Sequence, residues 1–322
     1  MTSIRRTYDV HGRRLTVEAP TRPWGTLLDG VFSAYRVDTS PGEAPVLRFV
    51  APEDLDVPEP RETVGEAEDG TRFERTADDR VVVTAEAVGR AVIAADGLTA
   101  HIAPTAPDPG WAVGHRLIEP VVVECLRARG LFGIHAAAVA RGDHGLLLCG
   151  RSGSGKSTAA LALARSGWGF LGDDTCYLEA APAAPTHVRA RWSDLHLTST
   201  SMEVLLRPEE RAAVHRPEGS EKYFLPVHEA PGIRPQADCH VAAVVFPEIV
   251  DRDEAGLTRL EARDALPRLL AQSLVPGRRD AERAHFDRLV GLCAAVPSYV
   301  LAAGRDLGAV LAVLDRIFAH RP

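Results

Sequence analysis

Leu146-Leu-Leu-Cys149, followed by Gly150-Arg-Ser-Gly-Ser-Gly-Lys156-Ser157-Thr158, is the stretch that decides the fold. From Gly150 it fits G-x-x-x-x-G-K-[S/T] at every fixed position, with a short apolar strand before it and an Ala/Leu helix, Thr158 to Ser166, after it. Such glycines let backbone N–H groups turn inward around phosphate oxygens, and the helix N-terminus adds the positive end of its dipole. Gly150, Ser152, Gly153, Ser154, Gly155, Lys156, Ser157 and Thr158 are therefore the candidate nucleotide-binding residues. Lys156 is expected to reach the β- and γ-phosphates of ATP, and the Ser157 hydroxyl to ligate Mg²⁺.

Working outward, Leu131 to Val139 reads as a strand, Arg141 to Gly145 as a turn and Leu146 to Cys149 as a buried strand, a hairpin that feeds the loop. His135 lies on the first of these strands between Ile134 and Ala136, and is expected to hydrogen-bond a catalytic carboxylate. Downstream, the helix ends at Gly167, a favoured residue just past a helix C-terminus. The next strand, Gly169 to Asp174, closes with two carboxylates. Adjacent acids at a strand end repel each other unless a cation sits between them. One of Asp173 and Asp174 suits Mg²⁺, and the other can take a proton from an attacking hydroxyl. Ser157 and Asp174 are the candidate metal ligands, with the division of roles between the two aspartates left open.

Of 37 basic residues, 35 are arginines; only Lys156 and Lys222 are lysines. A flexible ammonium and a planar guanidinium are not interchangeable, so a retained lysine marks a place where the fork does not fit. That logic adds Lys222, in Ser220-Glu221-Lys222-Tyr223, as a candidate phosphate contact; Arg189 or Arg191, in the stretch Val188–Ser193, is separately a candidate source of positive charge for the transferring phosphoryl group.

The 322 residues are 45% apolar and 25% charged, the balance of an ordinary globular chain with room for two domains. A formal charge of −7 excludes a dedicated nucleic-acid or anionic-membrane surface. No run approaches the roughly 18 apolar residues of a membrane helix, and Met1 to Pro20 carries no signal-like stretch, so a cytoplasmic location is expected. An oligomer is compatible with this composition. Cys125, Cys149, Cys176, Cys239 and Cys293 are scattered, and most have apolar neighbours, so they read as reduced core residues.

Residues 1–105 read as a β-rich N-terminal domain, with strands at Arg14–Glu18, Val46–Val50 and Arg80–Thr84 and a Pro/Glu/Asp-rich loop from Ala51 to Gly70. Ala103 to Gly110 reads as a linker. Residues 111–322 then form an α/β domain: a helix over Trp111–Arg129, a strand at Val241–Phe246, helices at Arg263–Leu274 and Ala281–Ala295, a strand at Pro297–Leu301 and a terminal helix at Asp306–Phe318.

Ile134-His135-Ala136, the loop Gly150–Ser157 and Asp173-Asp174, in this order, resemble the HPr kinase/phosphorylase superfamily, whose core is shared with ATP-dependent phosphoenolpyruvate carboxykinases. Weaker resemblance continues through Glu221–Pro226 and Val296–Leu301. It implies an α/β, phosphoenolpyruvate-carboxykinase-like P-loop kinase core. In that family the lysine and hydroxyl hold the triphosphate and Mg²⁺, and a paired aspartate is the base toward a serine supported by the histidine. Carried over, these are Lys156, Ser157, Asp173 or Asp174, and His135. Two departures point away from HPr as acceptor: Thr158 replaces the usual acidic residue, and Val188–Ser193 stands where a Leu-Glu-Ile-Arg-Gly signature belongs. The pattern is closer to kinases that phosphorylate a serine of lasso-peptide precursors.

The expected function is therefore transfer of the γ-phosphoryl group of ATP to a serine of a peptide or protein. A small-molecule hydroxyl kinase on the same core and an ATP-hydrolysing regulatory module are the alternatives. The absence of Leu-Ser-Gly-Gly-Gln and Asn-Lys-x-Asp segments, together with the Asp pair, favours transfer.

Overall fold

The computed structural model describes residues 3–20, 24, 27–28, 32–39, 46–67, 69–105, 110–179, 186–191, 195–217, 220–227, 230, 232–273 and 276–319. The protein is mixed α/β, with two large sheets. It divides into Met1–Leu131 with Val275–His285, and Phe132–Leu274 with Phe286–Pro322.

The first unit is organised by nine strands: β1 (Ile4–Val10), β2 (Arg13–Ala19), β3 (Arg36–Val37), β4 (Leu47–Phe49), β5 (Glu62–Glu66), β6 (Arg72–Arg75), β7 (Val81–Ala85), β8 (Gly89–Ile93) and β9 (Ala100–Pro104). Their order is β3-β1-β2-β4-β9-β8-β7-β6-β5. Alternation drives the pairing: Tyr8, Val10, Leu15, Val17, Ile93 and Ile102 are buried. The three predicted strands are present as β2, β4 and β7. The acidic stretch expected as a loop contains β5, whose residues are exposed or half-buried. An edge strand of that kind carries no apolar alternation for sequence to reveal. The predicted linker is strand up to Pro104, and residues 106–109 lie outside the described set.

Helix α1 (Trp111–Val113) passes through a π-helical turn (Gly114–Ile118) into α2 (Glu119–Arg127), and Pro120 is tolerated because it falls in the first turn of α2. This helical stretch belongs to the first unit, so the boundary lies at 131 rather than between 105 and 111. Packing explains the difference. Leu117, Ile118, Val121 and Leu126 are fully buried, and a Cβ at Gly89 would come within 2.9 Å of Leu117 Cδ2. The late segment 276–285 joins the same unit through charge: Arg75 donates to the Gly277 carbonyl (2.9 Å) and pairs with Glu282 (2.9 Å), while Arg278 reaches Glu124, itself 2.8 Å from Arg127.

In the second unit the strands are β10 (Leu131–Ile134), β11 (Ala136–Arg141), β12 (His144–Cys149), β13 (Gly169–Gly172), β14 (Cys176–Glu179), β15 (His187–Ala190), β16 (Leu195–Leu197), β17 (Tyr223–Leu225), β18 (Arg234–Pro235), β19 (Asp238–Ile249), β20 (Gly256–Leu260) and β21 (Ser298–Ala303). The principal sheet runs β10-β14-β15-β19-β12-β11-β13-β18, with β21 on β19 and β20 on β21; β16 and β17 form a separate pair. The strand predicted over 131–139 is broken at His135, because β10 pairs with β14 whereas β11 pairs with β12 and β13. Helices are α3 (Lys156–Arg165), α4 (Ser199–Leu205), α5 (Ala262–Ser273), α6 (Arg279–Ala295, its residues up to His285 counted with the first unit) and α7 (Leu307–Ala319). Leu161 and Leu163 of α3 are fully buried in a core with Leu146, Leu148, Val245 and Leu314, each such leucine contributing about 2 kcal/mol. All five cysteines are buried and unpaired. No described helix is long and apolar enough to cross a membrane.

Register fixes what meets at one edge of this sheet. Ala136 lies opposite Cys149 and Ala138 opposite Gly172, in antiparallel pairs, while β19 runs parallel to both β12 and β21. The edge therefore carries, in spatial order, Asp173-Asp174 after β13, His135 before β11, the loop after β12, Ile249 ending β19 and Ala303 ending β21. Open α/β sheets bind ligands at such carboxyl ends of parallel strands.

Candidate active site

The loop between β12 and α3 can fold only because of its glycines. Gly153 and Gly155 have φ of +80° and +98°, a region in which a Cβ is strained. The reversals let α3 start at Lys156, two residues earlier than expected. Lys156 is 7% exposed, and its Nζ donates to the carbonyls of Gly150 (2.5 Å) and Arg151 (3.1 Å), folding back over the loop. Burial lowers its pKa, partly opposed by the charge of Asp174. The Ser154 hydroxyl is buried without a hydrogen-bond partner among the described residues.

A cavity of about 410 Å³ opens over the loop. Residues Ser152 to Thr158, His135, Asp173, Asp174 and Lys222 all line it, so strands distant in sequence bring the expected residues to one place. Arg191 is buried and does not line the cavity, although its charge acts on Asp174. Arg189 is held by Asp238 (3.0 Å) and Glu179 (3.3 Å), away from the loop. Of the stretch 188–193, Trp192 and Ser193 lie outside the described residues.

The two aspartates are unlike. Asp173 is 3% exposed; its Oδ2 accepts the His196 backbone N–H at 2.8 Å, while its Oδ1 has no hydrogen-bond partner among the described residues. Burial raises its pKa, against the lowering charge of His196, and Asp174 adds to the rise. Asp174 is more open, with 24% side-chain exposure, and its Oδ1 lies 3.5 Å from His135 Nδ1 and 3.7 Å from His196 Nδ1. Burial alone would raise its pKa, but the nearby imidazole of His196, then His135 and Arg191, hold it well below the usual carboxylate range. Environments that push two carboxylates apart in this way assign them different tasks.

His196 escaped the sequence reading. It sits at the middle of β16, opposite Phe224 of β17, with ring centroids 4.5 Å apart. Desolvation lowers its pKa, but Asp174 and Asp173 more than restore it, and the net shift is upward. Its only sequence signal was a polar residue between two leucines, shared with any buried strand histidine. Beyond it, Thr198 caps α4, and Ser201 bridges to Thr158 at 2.9 Å, fastening the β16–α4 segment to the first turn of α3.

Hard oxygen donors suit Mg²⁺. The orphan Oδ1 of Asp173 and the Ser157 hydroxyl, close enough to lower the Asp173 pKa, form such a donor pair. Among the described residues no three His, Cys, Asp or Glu side chains are grouped to hold a metal alone. A cation here would thus complete its shell from phosphate and water, as Mg²⁺ does at triphosphates.

No family model matches the chain, and no curated protein matches it. Among solved structures, the HPr(Ser) kinase/phosphatase from Coxiella burnetii is similar at 13% identity, over 59% of this chain and 99% of that chain, with a TM-score of 0.30. At that level the likeness fixes neither a fold nor an activity.

Proposed function

We propose that the chain is an ATP- and Mg²⁺-dependent kinase that transfers the γ-phosphoryl group to a hydroxyl, that of a serine in a peptide or protein. One observation carries this reading: a single cavity joins the phosphate loop to an ionised, half-open carboxylate two strands away. An ionised carboxylate in that position can take the proton of an attacking hydroxyl. The finer assignment, a core of the HPr-kinase and phosphoenolpyruvate-carboxykinase type acting on a peptide precursor, rests on residues 134–178 and the resemblance they carry.

In this reading the loop amides and Lys156 hold the β- and γ-phosphates and absorb charge as the transfer proceeds. Ser157 and Asp173 would hold Mg²⁺, which supplies positive charge at the phosphate oxygens. The expectation had paired Asp174 with Ser157 there; the unsatisfied oxygen of Asp173 favours the exchange. Asp174 accepts the serine proton, and His135 and His196 orient it. The serine oxygen forms the new bond to the γ-phosphorus in line, the bond to the β–γ bridging oxygen breaks, and ADP leaves. Lys222, whose charge is felt at both Lys156 and His196, faces the same phosphates.

The test is transfer of label from γ-³²P-ATP to arrayed serine peptides, alongside small alcohols and water, with phosphoamino-acid analysis of the products. Acid-stable phosphoserine is expected. Label recovered only as a phosphorylated small alcohol, or only as inorganic phosphate, overturns the serine reading.

A further inference from the structure

The phosphate loop has two flanks. On one, β11 and β13 present His135 and the aspartates; on the other, β19 and β21 end in Ile249 and Ala303, and α7 begins with Leu307 and Val310. Gly304, Leu307, Val310 and the two strand-end residues line the cavity, so this flank offers it no polar side chain. The large exposed hydrophobics among the described residues are Leu98, Val204, Ile249, Phe286 and Val290. Two of these five, Val204 (64% exposed) and Ile249 (68%), line this one cavity. Apolar side chains left in water at the lips of a cleft mark a contact surface for a ligand.

Ile249 also lies close to the loop, since a Cβ built on Gly155 would be 3.8 Å from its Cγ1. Gly304, on the same flank, packs tightly against the chain behind it: a Cβ there would approach the Glu254 and Asp253 carbonyls to 2.4 and 2.5 Å. From β12 to β21 is two strand spacings, about 10 Å, a distance that a phosphate chain and ribose can span.

Resting on the kinase reading, we infer that the nucleoside of the donor lies on the Ile249–Ala303–Leu307 flank, opposite the acceptor, and is held there by apolar contact. A wall without polar side chains grips a flat heterocycle by area and has little means of telling one base edge from another. The flank is therefore a base-tolerant nucleoside subsite. An apolar acceptor side chain is the competing occupant, but the hydroxyl it brings must meet Asp174, across the loop.

The experiment is calorimetric titration, with Mg²⁺, of ADP, GDP and inorganic tripolyphosphate into the full chain, and into Ile249→Asn and Ile249→Leu. Ile249 is so exposed that neither change burdens folding. ADP and GDP are expected to bind within about threefold of each other, a spread below one hydrogen bond's worth. Ile249→Asn should weaken both nucleotides about fivefold, the scale of one lost apolar contact patch, leave tripolyphosphate unchanged, and be rescued by Ile249→Leu. Unchanged ADP affinity in Ile249→Asn, equal loss for tripolyphosphate, or a hundredfold preference between ADP and GDP overturns the inference alone. Failure of both ADP and tripolyphosphate to bind the wild type overturns it together with the phosphate-loop reading.

Discussion

Replacing His196 by alanine removes the imidazole lying 3.7 Å from Asp174 Oδ1 and leaves the His196 N–H bond to Asp173, which is backbone, in place. At an effective dielectric of about 20, a full charge pair at that distance is worth roughly 4.5 kcal/mol gross. Water entering the space beside Phe224 returns much of it, leaving a net of about 1.5–3 kcal/mol, a third to two thirds of the gross attraction. His135, 3.5 Å away, still holds Asp174 from the other side, so the carboxylate stays near its place but loses its fixed orientation. If that orientation is used only when the proton moves, kcat for phosphotransfer falls about 10- to 100-fold, while KM for ATP changes little. Steady-state transfer at saturating acceptor, over a series of ATP concentrations, separates the two terms; His196→Asn, which keeps a donor, should recover part of kcat. A kcat within twofold of wild type, or a loss confined to KM, refutes the reasoning.

Asp173→Asn should raise the Mg²⁺ concentration needed for half-maximal transfer about tenfold without changing tripolyphosphate affinity measured in EDTA; an unchanged Mg²⁺ requirement would remove Asp173 from the cation. In Glu210→Gln the two 2.8 Å bonds from Arg165, at the far end of the loop helix, lose their charge. With Arg165 partly exposed, about 1–2 kcal/mol of stability is expected to go, or roughly 3–6 °C in Tm for a unit of this size. Burial would raise the Glu210 pKa, but bonds from Arg207 and Arg165 outweigh it and leave it lowered. The contribution is thus present above the unfolded value near 4.3 and is lost as pH falls through the folded one. The Tm gap between wild type and Glu210→Gln should accordingly close on acidification below that range, and a gap that is constant with pH would count against the clasp.

The loop and the aspartate pair were legible because their geometry is local. Glycines at 153 and 155 encode backbone reversals within a few residues, and a strand that ends in two acids must face solvent or a cation. His135 was legible only as a candidate, since its use depends on a break between β10 and β11 that the otherwise apolar run Leu131–Val139 conceals. His196 was hidden altogether. It reaches Asp174 through the pairing of β16 with β17, a contact between segments some thirty residues apart. The apolar flank has the same origin: Ile249 and Ala303 meet at the loop because β19 lies between β12 and β21, an order no local pattern specifies. The first unit hid its boundary for a related reason. Residues 111–127 read correctly as a helix, but the surface they bury against comes from strands already passed.

The most direct test of the account compares binding and transfer in one preparation of Asp174→Asn. If Asp174 is the proton acceptor and the loop holds the donor independently, ATP·Mg²⁺ affinity stays within about threefold of wild type while transfer to a serine peptide falls at least 10²-fold. Transfer at the wild-type rate, or a loss of ATP affinity as large as the loss of transfer, would contradict it.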